Sequence, residues 1–161
     1  MTVPRMEVTP RARLAGLFLI ICGVIGVVAG IVPLVLNVMR LLGCTFGLSP
    51  EGLESHGVAA MGLSVPWAIL SCWDGTYLGS LLLAGGIGWR RGWAWAPLVT
   101  FLYAVHGVMV DGLDVLIFVV AATPGPMRSR MIVLDSIAGL VALSVLVGVV
   151  AWWRRQRAAS A

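Results

Sequence analysis

The stretch LAGLFLIICGVIGVVAGIVPLVL, residues 14–36, contains 23 consecutive residues without a charge. The hydrocarbon core of a bilayer is about 30 Å thick, and about 20 helical residues cross it. The run is therefore long enough to form a transmembrane helix. A cleaved signal peptide is the alternative, because arginines precede the run, but the apolar region of a signal peptide is only about 7 to 15 residues long. We expect the helix to be retained.

The composition of the whole chain agrees with a membrane environment. Hydrophobic residues make up 60% and charged residues 11% of the 161 residues, whereas a soluble domain carries about 25% charged residues. The net charge of +4 comes from eleven arginines without a single lysine, which is typical of a GC-rich bacterial genome. The arginines lie at the ends of apolar runs, as in membrane proteins. We therefore expect a plasma-membrane protein that does not bind nucleic acid.

Three further apolar segments predict an all-α integral membrane protein, a bundle of four antiparallel transmembrane helices. The second helix begins either near Val58, with a bend at Pro66, or at Pro66 itself. The third either ends in a turn at Asp111–Asp114 or continues to Ala122, because Asp-Gly steps often mark turns. The predicted spans are about 14–36, 66–89, 93–120 and 131–153, with an outer loop at 37–65, a disordered tail at 1–13 and a second tail at 154–161.

The distribution of arginine predicts the orientation. The two tails and the turn at Arg90–Arg91 carry eight arginines, and the opposite side carries three. Cytoplasmic segments are enriched in Lys and Arg, so both termini are expected in the cytoplasm, as an even number of spans requires. The seven tryptophans cluster near the predicted helix ends, as in the aromatic belts at membrane interfaces.

Small residues and cysteines give weaker indications. Gly26 and Gly30 form a GxxxG step, and Ser144 and Gly148 form a similar one. Such steps allow helices to approach closely, and we expect contacts inside the bundle rather than a dimer interface. Cys44 and Cys72 both fall on the predicted outer side, where an oxidising compartment would permit a disulfide.

Ionisable residues inside spans are rare and are functional candidates by default. Four carboxylates fall in the outer third of the predicted bundle, and His106 falls near its middle. At about 100° per residue, the polar residues of the third helix share one face, as do those of the second helix from Trp67 to Tyr77. The sequence therefore predicts an acidic vestibule that opens outward. The candidate ligand-binding residues are Trp67, Asp74, Tyr77, Tyr103, His106, Asp111 and Asp114; the candidate catalytic residues are His106, Asp74, Asp111 and Asp114.

Structural interpretations of the same residues remain open. Asp135 lies in the predicted first turn of the fourth helix, where a carboxylate suits the helix dipole. Asp74 and His106 could each form a purely structural hydrogen bond. Asn37 could add a neutral partner, and the arginines near the outer side could cap the vestibule as an ion network; these are Arg40, Arg128 and Arg130. The two histidines, His56 and His106, show no ligand spacing, so neither a metal nor another cofactor is expected.

Three classes of function fit this pattern. The first is an accessory or ligand-binding membrane subunit whose surroundings are the lipid bilayer and which assembles as a homo-oligomer or in a larger membrane complex. The second is a membrane enzyme that uses Asp and His as acid and base on a lipid or isoprenoid. The third is a small cation transporter that acts as an oligomer, because aromatic faces attract cations; its lining would be Trp67, Trp73, Tyr77 and Tyr103.

Overall fold

The computed structural model describes residues 6–44, 62 and 65–159, and this part of the chain is helical. Three of its helices are long and apolar enough to cross a membrane, namely the first, third and fourth. The prediction of an all-helical chain with transmembrane segments is confirmed to this extent. The helices are α1 (Pro10–Leu41), α2 (Val65–Arg91), α3 (Ala96–Val120) and α4 (Pro126–Ala159).

Helix α1 extends beyond the apolar run at both ends. It begins at Pro10, which suits a first helical turn because proline lacks the N–H that would go unpaired there. Thr9 caps it, since Thr9 Oγ1 accepts a hydrogen bond of 3.3 Å from the Ala12 N–H. The helix continues to Leu41, so the predicted loop from residue 37 begins too early. The apolar run marks the lipid-exposed length of a helix rather than its hydrogen-bonded length.

The segment before α1 is ordered from Met6 onward, which corrects the prediction of a disordered tail for that part. The Met6 N–H donates a hydrogen bond of 2.8 Å to the Gly92 carbonyl. Met6 also packs against the main hydrophobic core. The N-terminal segment is thus held against the turn between α2 and α3, and residues 1–5 lie outside the described part.

The described structure bears on both helix boundaries that the sequence leaves open. Helix α2 begins at Val65, next to Pro66, and Gly62 before it has a φ of +72°, which a continuing helix would not have. A start near Val58 falls on residues outside the described part. Helix α3 runs without interruption through Asp111, Gly112 and Asp114 to Val120. The interfacial turn at Asp111–Asp114 is therefore wrong, because a helix is the conformation that satisfies every backbone group without water.

Helices α1 and α2 pack closely through glycines on both sides. A Cβ added to Gly16 would lie 2.9 Å from the Gly86 carbonyl oxygen, and one added to Gly23 would lie 2.8 Å from that of Gly79. Gly26 also faces Gly79. Because numbers rise along α1 as they fall along α2, the pair is antiparallel. The prediction that Gly26 and Gly30 make contacts inside the chain is confirmed, since a Cβ on Gly30 would meet Thr76.

A glycine-terminated cap ends α2 and reverses the chain. Gly92 has a φ of +69°, its N–H donates to the Trp89 carbonyl at 3.3 Å, and the Trp93 N–H donates to the Gly88 carbonyl at 2.9 Å. This pair of bonds is the Schellman arrangement, which satisfies the last carbonyls of a helix. Helix α3 then returns along α2.

Each helix packs mainly against its neighbours in sequence. Extensive interfaces join α1 to α2, α2 to α3, and α3 to α4, whereas α1 and α4 share none of comparable extent. Between α3 and α4, Phe101 contacts Trp153 and Gly107 faces Ala142. In contrast to Gly26 and Gly30, Gly148 on α4 has open space around it, since no atom lies within 4 Å of a Cβ added there. The three cysteines, Cys22, Cys44 and Cys72, are free thiols.

Candidate functional site

Four carboxyl groups, from Asp74, Asp111, Asp114 and Asp135, form what we call the acidic cluster. They come from three consecutive helices, with Asp74 on α2, Asp111 and Asp114 on α3, and Asp135 on α4. Asp111 lies about 22 Å along α3 from Ala96, at a rise of about 1.5 Å per residue. Because neighbouring helices are antiparallel, all four positions fall toward the end of the molecule remote from both described chain ends. The structure thus brings the predicted acids together from three helices.

Asp74 faces His106 across the interface between α2 and α3. The distance from Asp74 Oδ1 to His106 Nε2 is 3.9 Å, which is ion-pair distance but too long for a hydrogen bond. The His106 side chain is 44% exposed, yet its Nε2 atom is buried and has no hydrogen-bond partner. The Nε2 nitrogen therefore lies on the inward side of the ring, toward Asp74. Tyr77 packs edge-on against the ring, with 5.4 Å between the centroids.

Asp114 is the most buried member of the cluster, at 8% exposed. Ser71 Oγ donates a hydrogen bond of 3.3 Å to Asp114 Oδ2, and Asp114 also interacts electrostatically with Asp74. Ser71 and Asp74 lie on the same face of α2, as the predicted periodicity requires. Asp114 therefore links the Asp74–His106 pair to the rest of the cluster.

Asp111 and Asp135 extend the cluster to the interface between α3 and α4. Asp111 interacts electrostatically with Asp114, and Asp135 interacts with both. Helices α3 and α4 can approach closely here because Gly139 faces the Asp111 side chain. A Cβ added to Gly139 would lie 3.4 Å from the Asp111 Cβ. The Asp135 Oδ2 atom is buried without a hydrogen-bond partner.

The interpretation of Asp135 as a first-turn residue is wrong. Helix α4 begins at Pro126 rather than near Met131, so Asp135 lies in its third turn. The interaction of a carboxylate with the helix dipole is confined to the first turn. The position of Asp135 instead depends on its neighbours on α3.

No described arginine side chain forms an ion pair with a carboxyl group of the cluster. Among the described side chains, the only carboxylate within ion-pair distance of a basic group is Asp74, and its partner is His106 rather than an arginine. Arg128 Nη2 donates a hydrogen bond of 2.6 Å to the Val119 carbonyl, so this side chain caps the end of α3. The side chain of Arg40 lies outside the described part. The expected ion network with Arg128 is therefore not formed.

Several predicted site residues lie apart from the carboxyl groups. Trp67 packs beside a separate small core of Ala68, Phe118 and Ala122, and its buried Nε1 has no hydrogen-bond partner. Asn37 donates to the Pro33 carbonyl at 2.9 Å and approaches Cys72 Sγ at 3.9 Å, rather than an acid. Trp73 is 58% exposed, so most of its surface does not pack against the other helices.

Tyr103 occupies an intermediate position. It is buried in the main hydrophobic core, and its hydroxyl interacts electrostatically with Asp111. It therefore supports the cluster from the apolar side of α3.

Two residues that contribute to the acidic cluster, Ser71 and Gly139, cannot be recognised individually from the sequence. Helical periodicity places Ser71 on the correct face of α2, but serines in helices usually bond to their own backbone, so its pairing with Asp114 carries no sequence signal. Gly139 lies four residues after Asp135 and therefore on the same face of α4. That spacing of a carboxylate and a small residue is the signal that could have placed Asp135 in the site.

The arrangement offers four carboxyl groups that have no arginine partner among the described side chains. Within the described ranges, no group of three or more His, Cys, Asp or Glu side chains is placed to hold a metal ion, and His56 lies outside them. Carboxyl groups that approach one another in a weakly polar setting favour binding of protons or of a cation. No protein-family model, curated protein sequence or solved structure shows significant similarity to this chain.

Proposed function

We propose that this chain is a ligand-binding membrane subunit that holds an organic cation at the acidic cluster. The observation that carries the proposal is the placement of four electrostatically interacting carboxyl groups on three adjacent helices, without an arginine partner among the described side chains. A charge inside a membrane protein is expensive unless it is paired. An organic cation supplies the missing charge, and the Tyr77 ring beside His106 offers an aromatic surface for it.

The proposed setting is the plasma membrane, with four crossings and both termini in the cytoplasm. Helix α2 carries Asp74 and several hydroxyl groups and is not among the candidate spans. It lies antiparallel between α1 and α3, both of which are candidate spans, and this position supports a fourth crossing by α2. The arginine-rich segments share one end of the molecule: the N-terminal segment contacts the turn at Gly92, and Trp152 contacts Trp89. The positive-inside rule assigns this end to the cytoplasm, so the acidic cluster would face outward.

Binding of radiolabelled tetraphenylphosphonium to the purified protein in mild detergent tests the proposal. We expect saturable binding to the wild-type chain. Asp114→Asn keeps the size of the side chain and removes its charge, and should weaken binding about tenfold or more, equivalent to about 1.4 kcal/mol. Glu7→Gln is the matched control, because Glu7 is an exposed acid before α1, and it should bind as the wild type does.

Two results would end this proposal. One is the lack of saturable binding by a correctly folded wild-type chain. The other is wild-type affinity for tetraphenylphosphonium in the double variant that combines Asp114→Asn with Asp74→Asn. If binding is found, uptake of the same cation into vesicles distinguishes transport by an oligomer from a binding subunit, since only transport accumulates the label inside.

Acid–base catalysis on a lipid or isoprenoid is a second candidate, favoured by the Asp74–His106 pair. A carboxylate 3.9 Å from an imidazole nitrogen is near the distance needed for proton transfer, and such pairs often tighten when substrate binds. The check is turnover of co-purified lipid by the wild-type chain and by His106→Ala. Loss of turnover supports the role, whereas unchanged turnover removes His106 from any mechanism.

A further inference from the structure

A groove of about 1080 Å³ separates α1 from α4 and runs from the helix ends at Thr9 and Arg155, remote from the acidic cluster, along α4 to Ile137. One wall is formed by the Thr9–Leu19 segment and the other by residues of α4 between Ile137 and Arg155. Trp89 and Thr100 contribute to its floor. The groove exists because the first and last helices share no extensive interface.

The groove is apolar and opens between two candidate membrane spans. Phe18 on one wall and Leu140 on the other are 53% and 63% exposed, so in a bilayer they contact hydrocarbon. Gly148 in the wall leaves open space, because nothing lies within 4 Å of a Cβ there. The α4 wall from Ile137 to Arg155 is about 27 Å long, but α1 faces it only from Thr9 to Leu19, over about 15 Å, which is about half of the hydrocarbon thickness. This length matches an acyl chain of one leaflet.

The mouth of the groove carries two positive charges on opposite walls. Arg11 lies on α1 and Arg155 on α4, and both are exposed. Neither forms an ion pair with a carboxylate in the described part of the chain. Guanidinium groups bind phosphate through charge-assisted hydrogen bonds, and basic pockets between helix ends on the cytoplasmic side bind anionic head groups.

We infer that this groove binds one anionic phospholipid of the adjacent leaflet. An acyl chain lies along the apolar walls, and the phosphate lies at the mouth between Arg11 and Arg155. No residue of the acidic cluster lines the groove, and this inference does not depend on the function proposed for the cluster. The lipid fills the gap that the helices leave open between α1 and α4.

Quenching of tryptophan fluorescence measures this binding directly, because Trp89 and Trp152 line the groove. The full chain is reconstituted in phosphatidylcholine vesicles that contain a small fraction of lipid brominated in its acyl chains. We expect brominated phosphatidylglycerol to quench more strongly than brominated phosphatidylcholine at equal fraction. The excess quenching should disappear in Trp152→Phe combined with Trp89→Phe, which identifies the groove as its source.

The arginines are tested by a double variant and a matched control. Arg11→Gln with Arg155→Gln should lower the preference for phosphatidylglycerol about tenfold. Arg13→Gln with Arg154→Gln removes the same charge from the same two helix ends, but neither residue lines this groove. That control should keep the preference. Equal preferences in the two double variants would overturn the role of Arg11 and Arg155.

Occupancy of the groove itself is tested by filling it. Gly148→Leu places a side chain into open space, so the variant should fold normally by circular dichroism and lose most of the excess quenching. Retention of the full excess quenching in Gly148→Leu would overturn the proposed position. A second result would also overturn it. If the wild-type protein is dimeric in vesicles and brominated lipid does not quench Trp89 and Trp152, a second copy of the chain occupies the groove instead.

Discussion

The hydrogen bond between Trp89 and Thr100 shows how a single side chain can satisfy a buried polar group in this fold. The Trp89 Nε1–H donates to Thr100 Oγ1 at 3.0 Å, and the same hydroxyl donates to the Ala96 carbonyl at 2.8 Å. Thr100 is 1% exposed, so its hydroxyl bonds inside the protein rather than to bulk water. This bond fixes the end of α2 against the start of α3.

Thr100→Val should therefore destabilise the protein while keeping the shape of the side chain. The variant leaves the buried indole N–H without an acceptor, at a cost of about 1–3 kcal/mol. The free energy of unfolding, measured by titration with a denaturing detergent, checks this value. Ser80→Ala serves as the control, because the Ser80 hydroxyl is exposed and bonds to the carbonyl of Thr76 in its own helix. Equal stability of the two variants would contradict the assignment.

At the same scale, the sequence predicts the members of the acidic cluster better than their pairings. Depth and helical face are enough to group Asp74, Asp111 and Asp114, because both follow from counting residues along a helix. The pairings between these residues cannot be predicted from the sequence, because they depend on the rotation and separation of neighbouring helices. Trp67 shares the predicted face of α2 but lies beside Phe118 instead.

Among the helices, the contact between α1 and α2 depends on a pair of glycine-lined surfaces. A Cβ at Gly79 would lie 2.5 Å from the Val27 backbone nitrogen and 2.7 Å from the Gly26 carbonyl carbon. Backbone atoms cannot move aside as a flexible side chain can. The two helices would have to separate to admit even one methyl group.

Gly79→Ala should lower the free energy of unfolding by about 1–3 kcal/mol, as for other overpacked cores. Gly112→Ala is matched to it, since Gly112 lies within α3 and nothing lies within 4 Å of its added Cβ. That control should be neutral or stabilised by about 0.5–1 kcal/mol, the usual gain from replacing a helical glycine. The prediction fails if Gly79→Ala is as stable as Gly112→Ala in the same detergent titration.

The helices themselves are largely predictable, and their ends are not. A long uncharged run such as 14–36 can only be a helix in lipid, so hydropathy locates its centre. The extension of α1 to Leu41 includes Asn37 and Arg40, and the start of α4 at Pro126 precedes Arg128 and Arg130, so the end of an uncharged run does not mark either helix end. The Asp111–Gly112 step is ambiguous because it favours a turn in water and not in a membrane.

For the molecule as a whole, the accessibility of two positions tests the proposed crossings. Cys44, just after α1, and Ala94, in the turn between α2 and α3, are both exposed. A membrane-impermeant maleimide should label intact cells carrying Cys44 as the sole cysteine. A chain with Ala94→Cys as its sole cysteine should react only after permeabilisation. Labelling of both from the same side would show that α2 does not cross the membrane.

The succession of interfaces from α1 to α4 has a consequence for the order of assembly. Each helix finds its main partner in the one synthesised just before it, so no helix must wait for a distant segment to complete its packing. Fold formation can then follow synthesis, one hairpin at a time, and such local contacts favour rapid folding. In the described part of the chain, the last helix forms no extensive interface with the first. The chain can thus reach its final form when α4 docks on α3, and the seam between first and last helix is left to the bilayer.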